Sequence, residues 1–395
     1  MAARIAHLSF SRTGGAGGVA SRLAELQRQR GHDAYVVSAI SGSLRDAPLA
    51  QPGHTVAAVW DERVVRAPGF AAPISLARDG LNKKVASELR GADIIHIHWP
   101  NGLVALDTLA ELAGTRPVVW TLHDMNAFTA VCHYSLGCMS FTSACSTCPA
   151  VRGTFQLSAT NHLTAKKASL NAFHDLRLVT PSTWLANEAT KSEALSGYPV
   201  TTIPNPLDED AHPRLTRTEA RSKLGIDPTV KSVFALSASH LHDPLKAVHT
   251  ATESFAEAFP GRDDVMLLVS GRGALAPQPQ VRQMGYVTSE MSRTIFAAAD
   301  YLVVPSLAEN QPLVIAEAQA AGASLIARNT TGLPEHLDID PTGLLFDSNE
   351  SIAKTLREAA SNPPSQAQRD ALADRAREKF SADGAVSAYE RVYGL

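Results

Sequence analysis

The 395-residue chain has no apolar run approaching the ~20 residues that a membrane-spanning helix requires. Its formal net charge is only -3, so no global basic field argues for nucleic acid as a partner. The opening MAARIAHLSFSRTGG is too short and too interrupted for a secretory signal, and a cytoplasmic protein is the expectation. No solenoid-spaced repeat and no low-complexity tract occurs. Cysteine is scarce, with four in the chain. What is present is an ordinary globular mixture, 45% hydrophobic and 19% charged. The length exceeds that at which one hydrophobic core stops growing, which predicts two domains.

The most informative stretch is Tyr301–Glu335, YLVVPSLAENQPLVIAEAQAAGASLIARNTTGLPE. Tyr301–Val304 has strand length and character, and Pro305-Ser306 ends it. A polar loop, Glu309-Asn310-Gln311, leads into a helix predicted over Pro312–Ala321. Proline costs little in a first turn, where its missing N–H has no partner anyway. Gly322 stops the helix and Leu325–Ala327 reads as the next strand. The result is a β-loop-α-β unit with its loop at the carboxyl edge of a strand, where parallel sheets bind ligands. Glu309 and Glu317 mark the loop and the helix. Free backbone N–H groups at the helix start near Gln311–Val314, those of Gln311, Leu313 and Val314 on either side of Pro312, suit a phosphate. The bland alternative is an amphipathic helix with two solvated glutamates.

Pro-Ser, then Glu, seven residues, Glu-Ala, a small-residue turn and Gly-x-Pro-Glu resembles the donor-site signature of retaining glycosyltransferases of family 4. The resemblance implies an α/β chain of GT-B architecture, two Rossmann-like doubly wound domains facing a cleft, with a last helix crossing back to the first domain. It implies that Glu309 lies by the donor sugar and that Glu317 binds the nucleotide ribose. Asn310 stands where the family usually has glycine, a variant that resembles polysaccharide-building members. Acceptors in this family are often lipid-linked, so contact with the inner face of a membrane is compatible with a cytoplasmic chain.

The first half repeats a βα rhythm. Strand Ile5–Phe10 leads into the glycine-rich turn 13–18, then a helix from about Val19 to Arg30 and a strand at Ala34–Ser38. Glycines such as Gly15 and Gly17 let a phosphate or sugar approach the backbone, although the spacing is not the dinucleotide pattern. In the resembling family this loop meets the donor phosphates or the acceptor. Ala92–Trp99 is a strand that places His96 and His98 on one face. His96 reads as a satisfied core residue, and His98, nearer the carboxyl end, as a secondary site residue. Val118–His123 ends in His123-Asp124, which resembles the family's histidine at the end of an N-domain strand. Imidazole suits hydrogen bonding to a hydroxyl. Asp124 would fix its tautomer or cap the following helix.

Cys132, Cys138, Cys145 and Cys148 fall within seventeen residues, with His133 adjacent. Cys145 and Cys148 form C-x-x-C, a spacing that lets two thiolates grip one metal ion. The other spacings are looser, and a structural zinc stands beside free or disulfide-forming thiols as open readings. No cofactor is expected for catalysis, since GT-B transferases generally need no metal. The segment also resembles an insertion in one subgroup of family 4. Asp208-Glu209-Asp210 and Asp338-Ile339-Asp340 are read as solvated loops.

A strand at Leu178–Pro181 leads to Ser182 as N-cap of a helix Thr183–Ser192. Val200–Ile203 precedes Pro204-Asn205-Pro206, which breaks any regular element and resembles the family's interdomain hinge; polar residues follow to about Arg221. The expected domains are 1–203, 204–375 and a returning C-terminal helix, 376–395, within a helix-like segment Gln366–Tyr393. In the second half, strand Ser232–Leu236 precedes Lys246 and a helix from about Ala247 to Phe259. The family places an arginine six residues before this lysine, both holding the donor diphosphate. Here that position is His240. Arg272, after strand Val265–Ser270, is the possible substitute. Gly285-Tyr286-Val287 resembles the turn that frames the nucleobase, with Tyr286 stacking on the base or packing elsewhere.

Taken together, the expected activity is retaining transfer of a sugar, from a nucleotide-sugar donor with UDP or GDP favoured, to a glycan or lipid-linked acceptor in polysaccharide biosynthesis. Glu309, His123 and Lys246 would carry the chemistry. The alternatives are a sugar-nucleotide epimerase, or a non-catalytic nucleotide-sugar-binding relative, for which His240 is the best support.

Overall fold

The computed structural model describes residues 2–39, 61–76, 83–207 and 215–395. Asp208-Glu209-Asp210 therefore lies outside the described residues. The chain divides into two compact units, Met1–Pro206 together with Ala382–Leu395, and Leu207–Ser381.

The first unit is built on six parallel strands: β1 (Arg4–Ser9), β2 (Asp33–Val37), β3 (Ile94–Trp99), β4 (Val118–Thr121), β5 (Leu176–Thr180) and β6 (Val200–Thr202). Their order is β2-β1-β3-β4-β5-β6. The strands are nearly continuous apolar runs because helices cover both faces of the sheet. The order reverses beside β1, so the carboxyl ends of β1 and β3 flank a topological switch point. The helix after β1 spans Gly14–Gln29. It begins five residues earlier than the sequence predicts, so Gly15 and Gly17 lie in its first turn and not in a loop. Glycine disfavours helix interiors, which hid this start. The compensation is packing: a Cβ on Gly17 would meet the Ser11 carbonyl oxygen at 2.1 Å. Ser182 caps the helix Thr183–Lys191 as expected, accepting from Leu185 N at 3.1 Å.

The second unit repeats the plan with β7 (Ser232–His240), β8 (Val265–Arg272), β9 (Val281–Gly285), β10 (Tyr301–Val304), β11 (Ser324–Arg328) and β12 (Leu344–Phe346), in the order β12-β11-β10-β7-β8-β9. Alternation along β7 splits its core in two. Phe234 packs with Phe255, Phe259 and Tyr301, while Val233 and Ala235 face Ile295 and Phe296 on the other side. The switch point lies between β7 and β10.

Three expectations need correcting here. The polar stretch before Arg221 contains a helix, Arg217–Lys223, opened by a Thr216–Glu219 capping box. It is anchored by buried Asp300, which accepts from Arg217 at 2.9 Å, Arg221 at 2.7 Å and Val233 N at 2.8 Å. The C-terminal segment is two helices, Gln366–Lys379 and Ala382–Tyr393. The first belongs to the second unit and the other to the first unit. They part at Phe380, whose ring is buried and whose carbonyl accepts from Leu207 N at 2.8 Å. Finally, Asp340 is no solvated loop residue. It is buried and accepts from Leu325 N at 2.7 Å and Thr342 Oγ1 at 3.0 Å. Burial nevertheless pushes its carboxyl pKa up. Among the described residues no helix is long and apolar enough to cross a membrane.

Candidate functional site

In the second unit, the residues singled out from sequence gather at the carboxyl ends of β7, β8 and β10. A short 3-10 turn, Pro244–Lys246, follows β7 and is capped by Asp243, which accepts from Leu245 N at 2.9 Å. Leu307 N bonds the Leu245 carbonyl at 2.8 Å and ties this turn to the loop after β10. Lys246 Nζ thereby reaches Glu309 Oε1 at 2.5 Å. Ser306 Oγ donates to the same oxygen at 2.8 Å. The Glu309 backbone is clamped as well: its N–H donates to Thr331 Oγ1 at 2.9 Å, and its carbonyl accepts from Thr331 Oγ1 at 2.7 Å and Gly332 N at 3.0 Å. A Cβ on Gly332 would meet the Asn310 carbonyl oxygen at 2.1 Å, so the Gly-x-Pro-Glu glycine is what lets the two loops touch. Ser306 and Thr331 are functional partners that the motif contained but that sequence reasoning left without roles.

Asn310 is buried, and Gln311 and Pro312 lead into the helix Leu313–Ala320, so Leu313 and Val314 form its first turn. Glu317 lies one turn further on. It lines a pocket with Arg217, Arg293, Arg369 and Arg377, a different set from the partners of Glu309. His240, the last residue of β7, is the register partner of Arg272, the last of β8. Arg272 is exposed, and its guanidinium carbon lies 3.9 Å from the centroid of the Tyr286 ring. Tyr286 is itself 66% exposed, so the pair forms a planar cationic platform on the surface.

In the first unit, His123 follows β4 at the carboxyl edge and borders a pocket with His98, Trp99, Asn101 and Asn126. It is the half-buried end of a chain of imidazoles whose other members are buried. His123 Nε2 lies 3.0 Å from His98 Nδ1, His98 Nε2 lies 3.1 Å from His7 Nδ1, and His7 Nε2 lies 2.8 Å from Gln27 Oε1. Gln27 Nε2 donates to Tyr393 Oη at 3.0 Å, and Tyr393 Oη lies 2.7 Å from His96 Nδ1. His96 Nε2 in turn lies 2.7 Å from Thr121 Oγ1. His96 is thus the satisfied core residue expected. Burial pushes the pKa of His7 and of His123 down to about 4, and those of His96 and His98 well below the usual range. All four rings are neutral near pH 7.

A neutral imidazole donates once and accepts once, so direction propagates along this chain. Gln27 Oε1 accepts from His7, His7 Nδ1 accepts from His98, and His98 Nδ1 accepts from His123. His123 Nδ1 is then the lone-pair atom. The ligand atoms of His7, His96 and His98 lie within 4.8 Å of one another. Each of their ring nitrogens already has one of the partners above, so the trio reads as a hydrogen-bond relay and not as a metal centre. The roles expected for Asp124 are replaced in part: it accepts from His133 Nδ1 at 2.7 Å and from Asn126 N at 2.8 Å. His133 is further held by Ser75 at 2.9 Å and stacks on Trp99, with ring centroids 4.7 Å apart. Sequence reasoning missed His7 and Gln27. His7 carries the same strand alternation as His96, its register partner, but Gln27 gave no signal.

The four cysteines are free thiols, and all line one cavity with Phe70 and Phe141.

Comparison with known proteins agrees with this architecture. A family profile described as Glycosyltransferase Family 4 matches residues 13–211, and one described as Glycosyl transferases group 1 matches residues 232–362. A D-inositol 3-phosphate glycosyltransferase from Rhodococcus jostii is 31% identical over an alignment 197 residues long that covers 44% of this chain and 43% of that protein. The chain thus matches less than half the length of this curated relative. Sucrose-phosphate synthase from Thermosynechococcus elongatus superposes with a TM-score of 0.67 at 17% identity, covering 99% of this chain and 98% of that one. Anabaena HepE, solved in complex with UDP and glucose, superposes with a TM-score of 0.64 at 17% identity over the whole of both chains. The fold is the α/β, GT-B class expected.

Proposed function

The chain belongs to glycosyltransferase family 4, and on that premise we propose that it moves a sugar, with retention of anomeric configuration, from a nucleotide-sugar donor to a glycan or lipid-linked acceptor. The observation that carries this reading is the Lys246–Glu309 pair at the β7/β10 switch point, the edge at which open parallel sheets bind nucleotides. A UDP- or GDP-sugar is the favoured donor, in line with the UDP found in the Anabaena structure.

In this reaction the bond from the anomeric carbon to the phosphate oxygen breaks and the nucleoside diphosphate leaves. The acceptor oxygen bonds to the anomeric carbon on the same face, and its proton passes to an oxygen of the departing phosphate. Lys246 stabilises the charge growing on the diphosphate, the term electrostatics lowers most. Arg272 adds a second cation, so no catalytic metal is needed. Glu309, held by Lys246 and Ser306, is oriented to accept hydrogen bonds from sugar hydroxyls, not to attack carbon as the nucleophile of a retaining glycosidase does. His123, neutral, binds a hydroxyl through a hydrogen bond. Glu317 holds the ribose. Polysaccharide assembly at the inner face of a membrane is the setting that fits a lipid-linked acceptor.

A thermal-shift screen against UDP-, GDP-, ADP- and dTDP-sugars tests the donor, since a ligand that binds the folded state raises its melting temperature. One nucleotide class should stabilise the chain and be hydrolysed or transferred slowly. Stabilisation without any turnover would favour the non-catalytic alternative, and no stabilisation by any of them overturns the reading.

A further inference from the structure

The segment from Cys132 to Cys148 has little regular structure, a single 3-10 turn at Ser140–Thr142, and yet Cys132, Cys145 and Cys148 are buried. A loop of this kind needs something to hold it, because its own hydrogen bonds do not offset the entropy of ordering. All four cysteines line the same cavity.

A further feature is Lys166. It is buried beneath this loop, with Nζ donating to the carbonyls of Asn126 at 2.5 Å and Thr129 at 2.9 Å. A buried ammonium is costly unless nearby charge offsets it, and Cys132, Asp124 and Cys145 lie near enough to Lys166 to act on it electrostatically.

We propose that Cys132, Cys138, Cys145 and Cys148 bind one zinc ion as a closed tetrahedral structural site, with Lys166 as its buried counter-charge. Four thiolates around Zn²⁺ leave a net charge of about -2, which the ammonium partly offsets. On binding, the four thiols release their protons to solvent and nothing is oxidised. Zinc–sulfur bonds of about 2.3 Å put the sulfurs under ~4 Å apart. No three of them are yet within 4.8 Å of one another among the described residues. A side-chain rotamer change carries a sulfur by about 3 Å, so metal binding closes the cavity by side-chain rotation. His133 is not a ligand, because Asp124 and Ser75 hold both its ring nitrogens. Four protein ligands leave no open position, so the metal holds the loop and takes no part in transfer. The site is independent of the sugar-transfer reading.

The test is elemental analysis of the full chain, expressed with added zinc and purified without chelator or metal-affinity resin. It should contain close to one zinc per chain. Cys138→Ser, at the least buried ligand, should lose most of it while remaining folded by circular dichroism. Cobalt in place of zinc should give the charge-transfer and visible absorption of a tetrahedral thiolate centre. Chelation should lower the melting temperature of the wild type and leave Cys138→Ser nearly unmoved. Metal-free protein with four thiols that titrate after unfolding overturns the proposal. So does a mass two hydrogen atoms short, with Cys145 and Cys148 oxidised to a disulfide.

Discussion

His240 and Arg272 stand opposite each other in register at the carboxyl ends of β7 and β8. Histidine stands where the resemblance implies an arginine, while an arginine sits on the adjacent strand, over Tyr286 at 3.9 Å. A guanidinium is always charged and presents a planar fork to phosphate oxygens, which an imidazole cannot match. Arg272→Ala should lower kcat by roughly 10²–10³, the loss expected for one well-placed charge. His240→Ala should cost less than about tenfold on the same scale. Steady-state kinetics with the donor found by the screen decides this. If His240→Ala is the crippling variant and Arg272→Ala keeps its activity, Arg272 is not the substitute.

The Lys246–Glu309 pair should couple stability as well as activity. Removing Lys246 leaves the mostly buried Glu309 carboxylate with the Ser306 hydroxyl still donating to it. Lys246→Met should destabilise the chain by about 1–3 kcal/mol, and Glu309→Gln by less. The double variant should recover part of the loss, because the unpaired charge is gone. All three should lose transfer activity. A double variant whose denaturant midpoint shows the full sum of the single effects would mean the pair is not coupled.

Glu317 tests the donor assignment at a distance from that pair. Its replacement by alanine should weaken nucleotide binding by about 1–3 kcal/mol with the fold intact, if its carboxylate holds the ribose hydroxyls. Calorimetry with the bare nucleoside diphosphate reads this directly. The arginines around Glu317 offer another role for its carboxylate. A loss of melting temperature with unchanged nucleotide affinity would assign it to that pocket instead.

The elements most legible in the sequence were those whose signal is local. Tyr301–Val304 coincides with β10 because a strand buried on both faces must be apolar throughout. Ser182 announced its helix because a cap acts within three residues. The start of the first helix was not legible, since Gly14–Gly18 contradicts helix propensity and is offset by contact with Ser11. The helix Arg217–Lys223 depends on buried Asp300, more than seventy-five residues away. The histidine relay arises from the register of β1 against β3, which no local pattern specifies. In the same way the sequence named Glu309 and Lys246 separately, but only the fold joins them.

The buried histidines should make the first unit sensitive to mild acid. The pKa of His7 and of His123 is about 4 in the folded chain against about 6.5 for a free ring. Below pH 6.5 the unfolded state binds protons that the folded state refuses, so stability falls as pH drops from 6.5 towards 4 and is level above 6.5. The loss is about 2 kcal/mol per ring at pH 5. Denaturant unfolding measured from pH 8 to pH 5 should show a plateau and then a decline. A flat profile through pH 5 would mean these rings are accessible to protons in the folded chain.

The direction of the relay gives the last prediction. Gln27 donates to Tyr393 and accepts from His7, and that orientation propagates through His98 to His123. His123 should therefore be the Nε2–H tautomer, with the Nδ1 lone pair accepting a hydrogen bond. A sugar or acceptor hydroxyl would then donate to it, which raises the electron density on that oxygen slightly and suits an attacking hydroxyl. Nitrogen-15 NMR of histidine-labelled protein distinguishes the tautomers by the shifts of the two ring nitrogens. Gln27→Leu removes the anchor and strands the His7 donor, at a cost of about 1–3 kcal/mol. It should also mix the tautomers of His123, with a change in KM for the acceptor larger than that for the donor. Gln27→Glu retains an acceptor for His7 and should preserve the wild-type tautomer at His123. An Nδ1–H tautomer in the wild type would reverse the chain and make His123 a donor to its substrate.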